Sequence, residues 1–188
     1  MRADARRNYD HIVATARVVF AEDGPEASLN EVARRAQVGP GTLYRHFPTR
    51  QALLVAVFRE RIDRLCALAD ELAAEPGGDG GAGEAMGAGG AGREAGEALT
   101  AWSQALLLHA QTDGGLSATM GDDPGFDCHT RLRAAATALV DRALRAGAIR
   151  ADVVVDDLFQ LVTGIAMTAP KERAEHLLSL ALGGVLRG

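Results

Sequence analysis

The sequence has few aromatic residues, almost no lysine, two cysteines and no long apolar run, and each scarcity narrows what the chain can be. Aromatics make up 4% of a chain that is 47% hydrophobic, and the balance lies in Ala and Leu, a mixture that points to an all-helical (all-α) protein. Cys66 and Cys128 are too few and too far apart in sequence for a disulfide framework or a zinc site, so no metal is expected. No apolar run reaches the roughly 18–20 residues of a membrane span, and the first residues lack the apolar stretch of a signal peptide. A cytoplasmic protein without membrane contact is therefore expected. Catalytic motifs are missing too: His109, His129 and His176 lack the spacing or acidic neighbours of a metalloprotease, and no Ser or Cys sits in a nucleophile motif. Neither an enzyme nor a cofactor is expected. Of 20 basic residues 19 are Arg, which a GC-rich coding sequence explains better than a preference for bidentate phosphate contact.

What is present is unevenly distributed. The formal charge is −5 over 188 residues, a length that holds one large or two small domains. Residues 1–64 contain 11 Arg and 8 acidic residues, a net +3, and the remaining 124 contain 9 basic and 17 acidic, a net −8. A basic end on an acidic body focuses nucleic-acid contact at that end.

Within the basic end, residues 28–47 read as a helix, a tight turn and a second short helix. Ser28 and Glu31 have capping-box spacing, so a helix is expected to start at Leu29 with Leu29, Val32, Ala33 and Ala36 as its apolar stripe. Gly39 followed by Pro40 fits the start of the next helix, and Pro48 ends it by pushing Phe47 out of the α region. Thr49 then caps a third helix that opens with Arg50. A cation in a first turn opposes the helix dipole at a cost of roughly 0.3–1 kcal/mol, which an external anion explains. Tyr44, Arg45 and His46 crowd a helix that needs only Leu43 and Phe47 for a core, and Gly41 and Thr42 suit approach to a phosphate. A three-helix core with solvated polar residues fits the same spacing.

The stretch GPGTLYRHFPTRQALL resembles the recognition-helix signature of the TetR family of transcriptional regulators, and NEVARRAQV resembles the helix before it. The likeness spans roughly residues 5–65. It implies that Ser28, Thr42, Tyr44, His46 and Arg50 sit where relatives meet phosphates, with Arg45 where some reach a base. Gly39 and Pro40 depart from the Ser and Lys or other polar residue of many members, so one side-chain contact is missing and the half-site sequence does not follow by analogy.

Outside this stretch, residues 1–7 read as a mobile basic arm whose Arg2, Arg6 and Arg7 reach phosphates or, equally, as a solvated tail, and a first helix is expected from Asn8 to Asp23, with Ile12, Ala16, Val19 and Phe20 inward. The helix from Arg50 is expected to reach about Ala74, long enough to serve two domains placed at 5–65 and 66–188. Residues 76–96 hold 10 Gly and read as a flexible loop. Residues 98–112 carry no charge and predict a central helix; further helices are expected at 129–146, 155–169 and 171–187. Leu158, Leu161, Val162 and Ile165 on the first of the last two, with Leu177, Leu180, Ala181 and Gly184 on the second, form a candidate homodimer interface, or alternatively the chain's own core. The resemblance implies a two-fold dimer joined through these helices. Trp102, His109, Phe126, Phe159, Thr163 and Met167 are candidate lining of a largely apolar effector site.

The reading is a ligand-responsive repressor that binds a palindromic operator in double-stranded DNA as a homodimer and is released by a small molecule. Two alternatives stand beside it: a redox sensor using Cys66 and Cys128, and a helical small-molecule-binding module without DNA binding.

Overall fold

The computed structural model describes residues 2–24, 26–74, 88–119 and 128–187, and the side chains of these except at 2–3, 88–89 and 113–119. Among them are eight helices: α1 (Arg2–Asp23), α2 (Leu29–Arg35), α3 (Pro40–His46), α4 (Arg50–Ala73), α5 (Ala88–Thr119), α6 (Cys128–Arg145), α7 (Val155–Thr168) and α8 (Lys171–Val185). They form two compact units, one built on Met1–Arg61 and the other on Ile62–Ser117 and Gly121–Gly188. The division falls inside α4, one turn before the expected 65/66.

In the first unit the expected apolar stripes meet. Ile12, Ala16, Val19 and Phe20 of α1, Val32 and Ala33 of α2, Leu43 and Phe47 at α3, and Leu53, Val57 and Phe58 of α4 are all buried. The residues expected as a mobile arm are instead helical from Arg2. Arg7 pairs with Asp4 and Arg6 with Asp10 at helical spacing, which supports a solvated first turn.

The capping box at α2 is half formed. Ser28 Oγ accepts from the Asn30 amide at 3.2 Å, but Glu31 does not reach back. Its carboxylate accepts instead from Arg34 at 2.7 and 2.8 Å and from Arg35 at 2.7 Å, and Arg35 also reaches Glu22 at the end of α1. Two guanidiniums outcompete one backbone amide for a carboxylate. They hold the Glu31 carboxyl down to about 2 from an ordinary 4.5, with Arg34 the larger cause. A depressed acid contributes stability that is complete above its ordinary value and is lost as pH falls through the folded one. Between about pH 5 and pH 2 the thermal midpoint should therefore fall less steeply in Glu31→Gln than in the parent protein. Parallel curves over that window, by circular dichroism, contradict the assignment.

In the second unit Trp102 of α5 is fully buried. Its indole N–H donates to the Leu65 carbonyl of α4 at 2.9 Å, and its ring meets Phe159 of α7 edge to face, with 6.0 Å between centroids. Helix α5 starts at Ala88, so residues 88–96, expected as loop, are helical. Two of the glycines read as spacer are contact points. A Cβ on Gly92 would stand 3.1 Å from the Ala146 carbonyl and one on Gly96 3.2 Å from Leu186, so small residues allow α5 to approach the turn after α6 and the end of α8. That turn is tied to the end of α8 by an antiparallel bridge between Ile149 and Leu186, in which Arg187 N–H donates to Ala148.

Arginines of α6 bind its neighbours. Arg131 pairs with Asp63 at 2.6 Å, and Arg142 donates to the Leu72 carbonyl in the last turn of α4, where a cation is favoured by the dipole. Arg133 grips Asp156 in the first turn of α7 with both of its terminal nitrogens.

The candidate dimer residues divide into two groups. Leu158 and Val162 are buried within the single chain, so these two belong to its own core. On α8 the stripe Ala174, Leu178, Leu182 and Val185 faces inward, which turns Leu177, Leu180, Ala181 and Gly184 to the other side. Leu180 is 62% exposed, Leu177, Ala181, Leu161 and Ile165 are half-buried, and Gly184 is exposed.

Candidate nucleic-acid interface

The α2–α3 turn is set by backbone geometry. Helix α2 ends with Gln37 at φ 54° and with Val38 N–H reaching back to the Ala33 carbonyl at 3.0 Å, a Schellman ending with a side chain where glycine is usual. Gly39 then caps α3 in an extended conformation with Pro40 as its first residue, as the sequence predicts. At the other end Phe47 leaves the helix at φ −130° before Pro48, and Thr49 Oγ1 accepts from the Ala52 amide at 3.1 Å. Leu43 and Phe47 anchor α3, which leaves its remaining side chains outward.

Those outward residues are Gly41, Thr42, Tyr44, Arg45 and His46. Tyr44 is 47% exposed, Gly41 and Arg45 are exposed, and Thr42 and His46 are half-buried. A contrast among the cations is informative. Arg34 and Arg35 are neutralised by Glu31 and Glu22, whereas Arg45 has no carboxylate partner among the described residues. Beside the cap, the Ser28 hydroxyl accepts from Asn30 and so keeps its own proton for a further acceptor. Arg50 differs from expectation, because its guanidinium donates to the Ala27 carbonyl at 2.6 Å. An internal partner thus accounts for a cation in the first turn of α4 without an external anion.

The residues expected around an effector come together only in part. Trp102, fully buried, packs against half-buried Phe159, and the Trp102 N–H is already engaged by Leu65. Thr163 is half-buried and donates to the Phe159 carbonyl at 2.6 Å. His109 is half-buried, Met167 points to solvent at 85% exposure, and Phe126 lies outside the described residues, as does Met120. A groove of about 330 Å³ lies elsewhere, between α5 and the end of the chain, lined in part by Gly96, Thr100, Gln104, Ala148 and Leu186. One polar group escaped the sequence reading: the Gln111 amide nitrogen is buried without a hydrogen-bond partner among the described residues.

The geometry of the cysteines disfavours their pairing. Asp63 meets Arg131 and Leu72 meets Arg142, so α4 and α6 run in the same direction. Cys66 follows Asp63 by three residues while Cys128 precedes Arg131 by three, a stagger of about 9 Å along parallel axes. Both cysteines are free thiols. Burial also pushes the Cys66 thiol up, away from the reactive thiolate. No helix among the described residues is long and apolar enough to cross a membrane.

An all-helical chain that presents a short, anchored helix with outward Tyr and Arg after a tight turn is a helix-turn-helix protein of the DNA-binding kind. The model of the bacterial regulatory proteins of the tetR family matches residues 12–57, and that of the SbtR-like transcriptional regulator C-terminal domain matches 94–187. A TetR transcriptional regulator of Streptomyces coelicolor is 36% identical with a TM-score of 0.73, over 95% of this chain and 98% of that one. A TetR regulatory protein of Mycobacterium vanbaalenii is 32% identical with a TM-score of 0.70, over 99% of both chains. An HTH-type transcriptional regulator of Staphylococcus aureus is 39% identical over 64 residues, a match covering 34% of this chain and 35% of that relative's length. The chain belongs to the TetR family of transcriptional regulators. It is accordingly a DNA-binding regulator and not an enzyme.

Proposed function

We propose that the protein is a homodimeric repressor that holds a palindromic operator and releases it when a small, largely apolar molecule binds the second unit. One observation carries the DNA side of this reading: Tyr44 and Arg45 stand outward on α3, Arg45 with no carboxylate partner among the described residues, while the neighbouring arginines of α2 are neutralised. In this reading Ser28, Thr42, Tyr44, His46 and Arg50 meet phosphates, Gly41 lets the backbone approach, and Arg45 reads a base edge. Arg50 then shares its five donors between Ala27 and the DNA. The outer stripe of α8, with exposed Leu180 and the small residues Ala181 and Gly184, is the proposed dimer seam, with Leu161 and Ile165 of α7 beside it.

In this reading the effector lies beyond the Trp102–Phe159 pair, toward His109 on the same face of α5 and Thr163 of α7, where a few polar groups orient an apolar ligand. Because α4 carries both Arg50 and Leu65, a ligand that displaces Trp102 moves a helix that also carries a DNA contact. Each tenfold loss of operator affinity needs about 1.4 kcal/mol of preference for the DNA-free form. A DNA-bound regulator of this kind works in the cytoplasm.

The reading is tested by selecting bound sites from a random DNA pool. Half-sites about one helical turn apart or slightly more, related by a two-fold, are expected. Arg45→Ala should then cost about 1–3 kcal/mol on the selected site and little on random DNA. Equal loss on both makes Arg45 a positioning contact only, and selected sites without two-fold symmetry remove the palindromic operator.

A further inference from the structure

Tyr9 has no role in the readings above. It is the outermost member of the inward stripe of α1, three residues before Ile12 and four before Val13. Its ring lies 4.9 Å from that of Phe47 and meets His46 edge on, at 6.1 Å and 71°. Any large apolar side chain would cover Phe47, so packing alone does not call for a phenol. The residue is 37% exposed, and its hydroxyl has no hydrogen-bond partner among the described residues. A solvated hydroxyl on a ring held by two aromatic contacts, at the end of α3, is a donor ordered before any ligand arrives.

We propose that Tyr9 is a DNA-backbone contact whose hydroxyl donates to the phosphate that His46 also meets. The proposal rests on the reading that His46 faces the backbone. The two rings stand 6.1 Å apart, centroid to centroid, so both side chains border one corner at the end of α3, where a single phosphate with several acceptor oxygens can face them together. Phosphate oxygens only accept, and the phenol O–H is a neutral donor to a charged acceptor, which makes the bond a strong one. Neutrality gives the contact a signature. A cationic contact releases a condensed counterion and adds to the salt dependence of binding, whereas a phenol releases none. Phosphates also carry no sequence information, so the contact acts alike on every DNA.

Tyr9→Phe keeps both ring contacts and removes only the hydroxyl. Its binding to a random-sequence duplex and to a selected site should weaken equally, about three- to tenfold, with the slope against salt and the thermal midpoint unchanged. Wild-type affinity in Tyr9→Phe overturns the proposal, and so does a loss confined to the selected site or accompanied by a changed slope. His46→Gln separates the possible failures. If it weakens binding while Tyr9→Phe does not, the backbone contact at this corner stands and Tyr9 is only packing; if neither variant moves, His46 itself does not face the DNA.

Discussion

Replacing Leu180 with glutamate should leave the fold intact, turn the protein into a monomer at micromolar concentration and lower operator affinity by about 10²–10⁴. Leu180 is 62% exposed within one chain, and surface substitutions away from special features usually change stability by no more than about 0.5 kcal/mol. In the proposed seam the same carboxylate is pressed against the partner's α8 among apolar and small side chains. Burying an unpaired charge there costs several kcal/mol, and the two-fold places the charge twice. Gly183 and Gly184 have nothing within 4 Å of where a Cβ would stand, so the helix surface around Leu180 is open for a partner to approach. The loss in DNA binding follows from geometry, because two linked readers bind the second half-site at high effective concentration and a monomer does not. Sedimentation velocity and operator binding check both parts. A Leu180→Glu protein that stays dimeric moves the seam off α8, and a monomer that keeps full operator affinity makes the dimer irrelevant to recognition.

The second large effect is expected at Trp102. Trp102→Ala removes the largest fully buried side chain of the unit, and truncations of this kind cost about 3–5 kcal/mol. Against a typical total of about 5–15 kcal/mol this is a large share. The thermal midpoint should drop by roughly 10 °C or more. The structure adds a reason beyond volume, since one side chain joins three helices: α5 carries it, α4 accepts its N–H through Leu65, and α7 meets its ring through Phe159. Trp102→Phe keeps an aromatic ring in the site and loses the donor, and the Leu65 carbonyl remains within the hydrogen-bond ladder of α4. Its cost should be clearly smaller, about 1–2 kcal/mol. Thermal melts of the two variants check the order. Equal midpoints for Trp102→Ala and the parent protein would show that the tryptophan fills no essential space, and the site would again be open to a ligand.

Residues 28–50 declared themselves in sequence because each signal there is local. A cap, a Gly-Pro start, a Pro stop and a periodic stripe act within a few residues, and the observed α2, α3 and α4 begin where these signals put them. Where local signals compete, spacing alone does not decide between them. Glu31 had the spacing of a capping box but sits one turn from two arginines and across from Glu22, and the stronger charge-assisted bonds won. For Arg50 the helix dipole is the one local signal, and the partner that offsets it, the Ala27 carbonyl, lies 23 residues away in sequence.

Periodicity also specified that α7 and α8 are apolar on more than one side, which made both a core and a seam available. It did not specify which side faces the chain itself. That choice depends on neighbours distant in sequence: Leu158 and Val162 turned inward, and Leu180 turned out. The glycines of α5 show the same limit in composition. A glycine-rich stretch in isolation has no side chains to pack and reads as loop, yet a Cβ on Gly92 or Gly96 would stand closer than ordinary contact to the Ala146 carbonyl or Leu186, so glycine suits the approach of the helix there. The local code of the chain thus determined most of its helix starts, its reading head and its family, because capping, turn chemistry and amphipathic period are short-range. Tertiary structure alone decided which apolar faces close the core, which arginines are neutralised and which polar groups stay unsatisfied, because burial and charge pairing join residues that sequence spacing does not relate.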